Sequence, residues 1–167
     1  MDISELENKI VFRLVTLFCL GLLVFALVLQ YFVSLTPCPL CIVQRFFYFL
    51  IGVTALSASF GWLKDIPVRM YGILMTILSL LGGSVALRQV WLQQHPSLAD
   101  PTICIVPFGS FLNSVILSLG GTGNCGIRDW TLFSLSIADW SLLCFIFLLS
   151  VGIFLVVRES KRKNMGV

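Results

Sequence analysis

Four long, strongly apolar stretches without a charged residue constrain this chain more than any other feature of its sequence. The stretches cover residues 14–44, 46–63, 70–87 and 140–157. An α-helix rises about 1.5 Å per residue, so about 20 residues cross the ~30 Å hydrocarbon core of a bilayer. A helix also pairs its own backbone amides, for which lipid offers no partner. We therefore predict an all-α integral membrane protein, a bundle of four transmembrane helices at about 12–35, 40–63, 68–91 and 139–158.

The composition supports a membrane protein and excludes several other classes. Hydrophobic residues make up 58% of the chain and charged residues 11%, whereas a soluble domain has about 25% charged residues. This excludes a soluble enzyme, a disordered chain and a basic nucleic-acid binder. The first stretch could be mistaken for a signal peptide, but it is long and its leader carries Asp2, Glu5 and Glu7. We therefore expect it to be retained.

The lysines and arginines of the connecting segments predict the orientation. Eight lie at one end of the predicted bundle: Lys9, Arg13, Lys64, Arg69, Arg158, Lys161, Arg162 and Lys163. The other end has three, namely Arg45, Arg88 and Arg128. Because cytoplasmic loops carry the excess of positive charge, we predict that both termini are cytoplasmic. The long segment of about 92–138 then forms a loop on the outer side.

Four of the six cysteines fall on the predicted outer side, where a periplasm would allow disulfides. Cys38 and Cys41 form a CxxC motif at the start of the second helix, with Pro39 suited to its first turn. Free amides at a helix start favour a thiolate. Arg45 follows one turn later and needs a partner at that depth, which a thiolate or an electronegative ligand would supply.

Cys104 and Cys125 lie in the long outer loop, and Cys19 and Cys144 lie inside helices, where we interpret them as packing residues. Apolar residues spaced as on one helix face run from Phe108 to Leu119. They predict a short amphipathic helix, either in the membrane interface or packed on the mouth of the bundle. Two cysteine pairs on one side of the membrane suit a protein that takes electrons from a water-soluble dithiol and passes them into the lipid phase.

Simpler interpretations of the motif stay open at this point. A CxxC can be an inert bridge or half of a zinc site, and an arginine at this depth can reach the interface with its charged end. Zinc is disfavoured because Cys104 and Cys125 do not form a second CxxC. We predict no metal site.

The ordered motifs resemble the bacterial disulfide bond formation protein B family. The motifs that carry the resemblance are Cys38-Pro39-Leu40-Cys41, Arg45, the run Arg88 to Gln93, Pro96, Cys104, Phe108, Gly123-Asn124-Cys125 and Trp130. The resemblance implies an enzyme of the bacterial inner membrane. Such an enzyme reoxidises a periplasmic, thioredoxin-fold dithiol oxidase like DsbA and passes the electrons to ubiquinone or menaquinone.

The resemblance also implies the site residues. Cys104–Cys125 would be the partner-facing disulfide and Cys38–Cys41 the quinone-facing one, with Cys41 next to the ring and Arg45 stabilising the contact. Two positions depart from the family pattern. Family members often carry an acidic residue where this chain has Gln44, and some carry a histidine at Gln89. Both amides can still donate a hydrogen bond to a quinone carbonyl, but neither can relay charge.

Three alternatives compete with this hypothesis. Quinone-linked reductases of the vitamin K epoxide type also have four helices and two cysteine pairs, but their CxxC follows the loop cysteines, the reverse of the order here. A protein that exports reducing power from the cytoplasm would need reactive thiols on the cytoplasmic side, where this sequence places none. A static scaffold with two loop disulfides explains the cysteines but not Arg45. His95 is the single histidine, which excludes a bis-histidine haem carrier, and we expect it to be solvated.

Overall fold

Four long helices account for most of the architecture in a computed structural model of the chain. The structure describes residues 3–32, 38–61, 67–95, 125–126, 131–132 and 134–164. The helices are α1 (Ile3–Phe32), α2 (Pro39–Phe60), α3 (Val68–Gln94) and α4 (Ile137–Asn164). Each contains a segment long and apolar enough to cross a membrane. The prediction of a four-helix membrane protein is confirmed, although α1 and α4 continue well beyond the apolar stretches into charged sequence.

The helices pack in chain order, and α4 returns to α1. Contacts join α1 to α2, α2 to α3, and α3 to α4. Between α1 and α4, the rings of Phe18 and Phe147 meet edge to face with centroids 5.4 Å apart. At the end opposite the cysteines, Glu7 pairs with Arg158. The other end holds Cys38, the last turn of α3 and the first turn of α4, and we call it the cysteine end.

The interior of the bundle is an apolar cluster with a central aromatic stack. Buried side chains from all four helices form this cluster: Phe12, Val15, Cys19, Tyr48, Ile51, Ala55, Tyr71, Met75, Ala86, Phe145, Leu148 and Leu155. The Tyr48 and Phe145 rings stack 4.3 Å apart, and the Tyr48 hydroxyl bonds Ser141. Large apolar side chains cover the outer faces of the helices, as expected for surfaces in contact with lipid.

Local chemistry sets both ends of α2 and the start of α4. Cys38 is the N-cap of α2 and Pro39 follows it, whereas Gly61 closes the helix in the left-handed region at φ 63°. At α4, the Ser136 backbone N–H donates to Asp139 Oδ2 and the Asp139 N–H donates to Ser136 Oγ, which is a capping box. A two-stranded antiparallel hairpin, β1 (Thr131–Leu132) and β2 (Leu135–Ser136), precedes α4.

Glycines allow a close approach between α3 and α4, and one of them gives a stability prediction. A Cβ built on Gly82 would lie 2.3 Å from Phe145 Cε1, whereas one built on Gly83 would lie 3.5 Å from Phe145 Cβ, an ordinary contact. Overpacking a core costs roughly 1–3 kcal/mol. Gly82→Ala is therefore expected to lower the thermal midpoint of the detergent-solubilised protein, measured by circular dichroism. The neighbouring Gly83→Ala is the control, and an equal loss in both variants would contradict the packing.

Candidate functional site: the cysteine end of the bundle

The CxxC motif sits at the first turn of α2 with its two sulfurs facing each other. Cys38 caps the helix with extended backbone, and the Cys41 N–H donates to Cys38 Sγ at 3.2 Å. The two Sγ atoms lie 2.6 Å apart. Cys38 is buried and Cys41 is partly exposed, and both are free thiols in this structure. Because Cys38 caps the helix, the motif has a fixed geometry at the bundle mouth.

Cys125 from the loop is buried against this motif. Cys125 and Cys38 are 1% and 5% exposed and share an apolar cluster with Leu40, Val43 and Leu92. The Cys125 side chain is close enough to Cys38 to raise the pKa of the Cys38 thiol. Three sulfurs from two distant parts of the sequence therefore meet at one place, and thiol–disulfide exchange requires such an arrangement.

The surroundings of Cys38 favour its protonated form. Hydrogen bonds with Cys125 and with Cys41, followed by burial, hold the pKa of the Cys38 thiol well above its ordinary value of 9.0. The sequence prediction of a thiolate at the helix start did not assign it to either cysteine of the motif, and it stays a prediction. Burial and two neighbouring thiols outweigh the amides of the first turn.

Two buried glutamine side chains lie beside the sulfurs. Gln89 on α3 donates through Nε2 to Cys41 Sγ at 3.2 Å and to Cys38 Sγ at 3.3 Å. Gln44 on α2 donates through Nε2 to Gln89 Oε1 at 2.7 Å. Both glutamines are 4% exposed. The two positions that depart from the family pattern thus form one hydrogen-bonded chain that ends on the cysteine pair.

Arg45 lies one turn below Cys41, and its contacts are made with α1. Its guanidinium donates to Gln30 Oε1 at 2.6 Å and to the carbonyl oxygen of Ala26 at 3.2 Å. The sequence predicted a thiolate or an electronegative ligand as the partner of Arg45, and the contact with Gln30 was not predicted. The signal was weak, since a lone glutamine at the end of an apolar run is easily interpreted as a membrane-boundary residue.

A polar contact between α3 and α4 was also missed. Ser136 Oγ lies 2.7 Å from Gln93 Oε1 and 2.8 Å from Asp139 Oδ2, and its single O–H can donate to either acceptor. Gln93 is one turn beyond Gln89 on α3, and the contact joins the last turn of α3 to the residue that caps α4. The sequence signal was present, because a serine three residues before an acidic residue and an apolar run indicates a capping box. His95 stacks on Trp91, with ring centroids 4.9 Å apart, and is exposed.

The structure brings together five of the predicted site residues: Cys38, Cys41, Cys125, Gln44 and Gln89. Arg45 is adjacent in the sequence but directed to α1. Cys104 and the predicted amphipathic helix of 108–119 lie outside the described residues. Within the described ranges, no group of three histidine, cysteine or acidic side chains could hold a metal ion.

Comparisons with known proteins give consistent matches. The family model described as disulfide bond formation protein DsbB matches residues 8–155. A protein of Nitrosospira multiformis named disulfide bond formation protein B is 40% identical over 152 residues, covering 87% of this chain and 89% of its own. The protein of the same name from Azoarcus sp. is 41% identical, covering 83% and 86%. Disulfide bond formation protein B 1 of Pseudomonas aeruginosa is 38% identical, covering 89% and 94%.

Proposed function

The chain belongs to the disulfide bond formation protein DsbB family, and on this premise we propose that it links a periplasmic dithiol oxidase to membrane quinone. In this proposal the chain reoxidises a DsbA-like, thioredoxin-fold partner and delivers the electrons to ubiquinone or menaquinone. The observation that carries the proposal is the contact of Cys125 with Cys38, next to Cys41. It supports a relay in which loop and membrane cysteines exchange directly.

The first exchange takes place at the loop pair. The thiolate of the reduced partner attacks Cys104 in the Cys104–Cys125 disulfide, which forms a mixed disulfide and releases the Cys125 thiolate. The second thiol of the partner then attacks its own sulfur in that bond, which leaves the partner oxidised and Cys104 reduced. Each step is an in-line attack controlled by thiolate fraction and access.

The second exchange passes the electrons to the membrane pair. The Cys125 thiolate attacks Cys38 in the Cys38–Cys41 disulfide, and Cys41 leaves as a thiolate. Cys104 then attacks Cys125, which restores the loop disulfide and frees Cys38. The burial of Cys125 against Cys38 supports this choice of attacking and attacked atoms. The net result is one dithiol, Cys38 and Cys41, at the membrane boundary.

The residues beside Cys41 have the chemistry to hold a quinone. Cys41 is partly exposed, and the two contacts of Arg45 with α1 use two of the five N–H donors of its guanidinium. When bound, a quinone supplies the acceptor for two electrons and two protons. Arg45 would hold a carbonyl oxygen and favour the Cys41 thiolate electrostatically. Contacts of Gln44 and Gln89 with the quinone stay a prediction.

We also propose that the protein lies in the bacterial inner membrane, with both of its termini in the cytoplasm. The described basic residues at the end opposite the cysteines support this orientation: Lys9, Arg13, Arg69, Arg158, Lys161 and Arg162. With that orientation the cysteine end opens to the periplasm, where the partner resides and where disulfides persist.

Replacing Arg45 tests the quinone side of the proposal. Arg45→Met is expected to slow anaerobic quinone reduction about 10- to 100-fold, the range that loss of a charge-assisted hydrogen bond gives. The measurement is quinone absorbance with reduced partner dithiol in detergent. Arg69→Met, at the other end of the bundle, is the matched control. A wild-type rate in Arg45→Met would remove Arg45 from the quinone site.

A further inference from the structure

The amide of Gln89 contacts the atoms that react, and its direction is defined by a second amide. Its Nε2 lies within 3.2–3.3 Å of both sulfurs of the CxxC pair, and its Oε1 accepts a hydrogen bond from Gln44. A side-chain amide has two N–H donors. Gln89 Nε2 can thus donate to both sulfurs, whereas its Oε1 accepts from Gln44 Nε2 at 2.7 Å and contacts Cys41 Sγ at 3.6 Å.

We propose that Gln89 is a catalytic residue of the dithiol step, which stabilises the reduced Cys38–Cys41 pair by donating to both sulfurs, and that Gln44 is the positioning residue that keeps its N–H groups on that side. The proposal rests on the function proposed above and deepens it. It assigns Gln89 to the thiols rather than to the quinone.

The energetic reason is the difference between a thiolate and a disulfide as acceptors. Hydrogen bonds to a charged acceptor are roughly twice as strong as neutral ones. When Cys125 attacks Cys38, negative charge develops on Cys41, which receives one of the Gln89 N–H groups. The same donors interact less strongly with the neutral disulfide. Gln89 therefore shifts the equilibrium of the pair toward its reduced form and lowers the barrier to exchange.

Burial strengthens the hydrogen bonds that the two amides donate. Gln44 and Gln89 are each 4% exposed, so water does not compete for their donors, and a buried donor without a partner is costly. Gln44 connects α2 to α3 at the same point, so the orientation of the amide is fixed by helix packing.

The test measures the redox equilibrium of the full chain in detergent, without quinone and without a partner protein. Purified protein is equilibrated in glutathione buffers, and the oxidised fraction of Cys38–Cys41 is read by alkylation and peptide mass. Gln89→Met keeps the volume but removes both donors. It is expected to raise the ratio of oxidised to reduced pair about tenfold, a shift of about 30 mV to more negative potential.

A second readout separates this role from a structural one. Alkylation of the reduced Cys41 by iodoacetamide is expected to slow about tenfold in Gln89→Met, because the thiolate loses its donor. A variant that only loosens the bundle would admit the reagent and react faster. Faster alkylation, or an unchanged redox ratio with a lowered thermal midpoint, would overturn the proposal.

Gln44→Glu tests whether Gln44 keeps the N–H groups of Gln89 directed at the sulfurs. A carboxylate accepts but does not donate when ionised, so it is expected to turn the N–H groups of Gln89 away from the sulfurs and give the same shift as Gln89→Met. Gln93→Met is the matched control, since Gln93 lies one turn away and contacts Ser136. An unchanged ratio in Gln44→Glu would overturn the positioning role. Because no quinone is present, the outcome does not depend on whether quinone is the acceptor.

Discussion

Cys125→Ser is expected to stop electron transfer from the partner dithiol to quinone, with a loss of about a thousandfold or more, as removal of a reacting nucleophile gives in other enzymes. Cys125 is the loop cysteine that the structure describes against Cys38. Without its sulfur, the loop can neither form its disulfide nor attack the membrane pair. The rate is measured anaerobically from quinone absorbance in detergent with reduced thioredoxin-fold dithiol.

The control for this variant is Cys144→Ser, which removes a thiol from α4 outside the sulfur cluster of Cys38, Cys41 and Cys125. We expect Cys144→Ser to keep at least about half of the wild-type rate, in line with the small effect of a substitution away from the reacting groups. If Cys125→Ser still reduces quinone at more than a tenth of the wild-type rate, direct exchange through Cys125 is contradicted.

Cys41→Ser is expected to abolish quinone reduction to a similar extent and to accumulate a different disulfide. The remaining thiol of the pair, Cys38, attacks Cys125 in the loop disulfide, which forms Cys38–Cys125 and releases the Cys104 thiolate. The buried contact between Cys38 and Cys125 is the reason for this product. Peptide mass mapping under non-reducing conditions identifies the bond.

Cys19→Ser provides the comparison, because Cys19 is buried in the apolar interior of the bundle. The map of that variant should show the same disulfides as the wild type. If Cys41→Ser instead retains Cys104–Cys125 and carries a free Cys38 thiol after oxidation, the contact of Cys125 with Cys38 does not serve exchange.

The sequence was sufficient for the elements whose signals are local. Apolar, charge-free runs long enough to span a membrane predicted four helices, because in lipid each span must form its own backbone hydrogen bonds. The Cys38-Pro39 pair predicted the start of α2, since proline suits the first position of a helix. The same motif predicted Cys38 at the cap of α2 and Cys41 in its first turn, and the structure has both cysteines there.

Contacts between helices required the structure. Gln89 meets Cys38 across 51 residues of sequence, and no periodicity states how α3 is rotated against α2. The contact of Arg45 with Gln30 depends in the same way on how α1 is rotated against α2. The β1–β2 hairpin escaped prediction because its strands have two residues each, too few for an alternating pattern. It also places Ser134 at a positive φ of 65°.

The most direct test of the proposed relay is the stoichiometry of quinone reduction by the purified wild-type chain under anaerobic conditions. Oxidised protein, quinone and a reduced thioredoxin-fold dithiol are mixed in detergent, and quinone absorbance and partner thiols are followed together. We predict one quinone reduced for each dithiol oxidised, and no quinone loss in Cys104→Ser. Intact, oxidised protein that leaves ubiquinone and menaquinone unchanged with several dithiols would contradict the relay and favour a static scaffold.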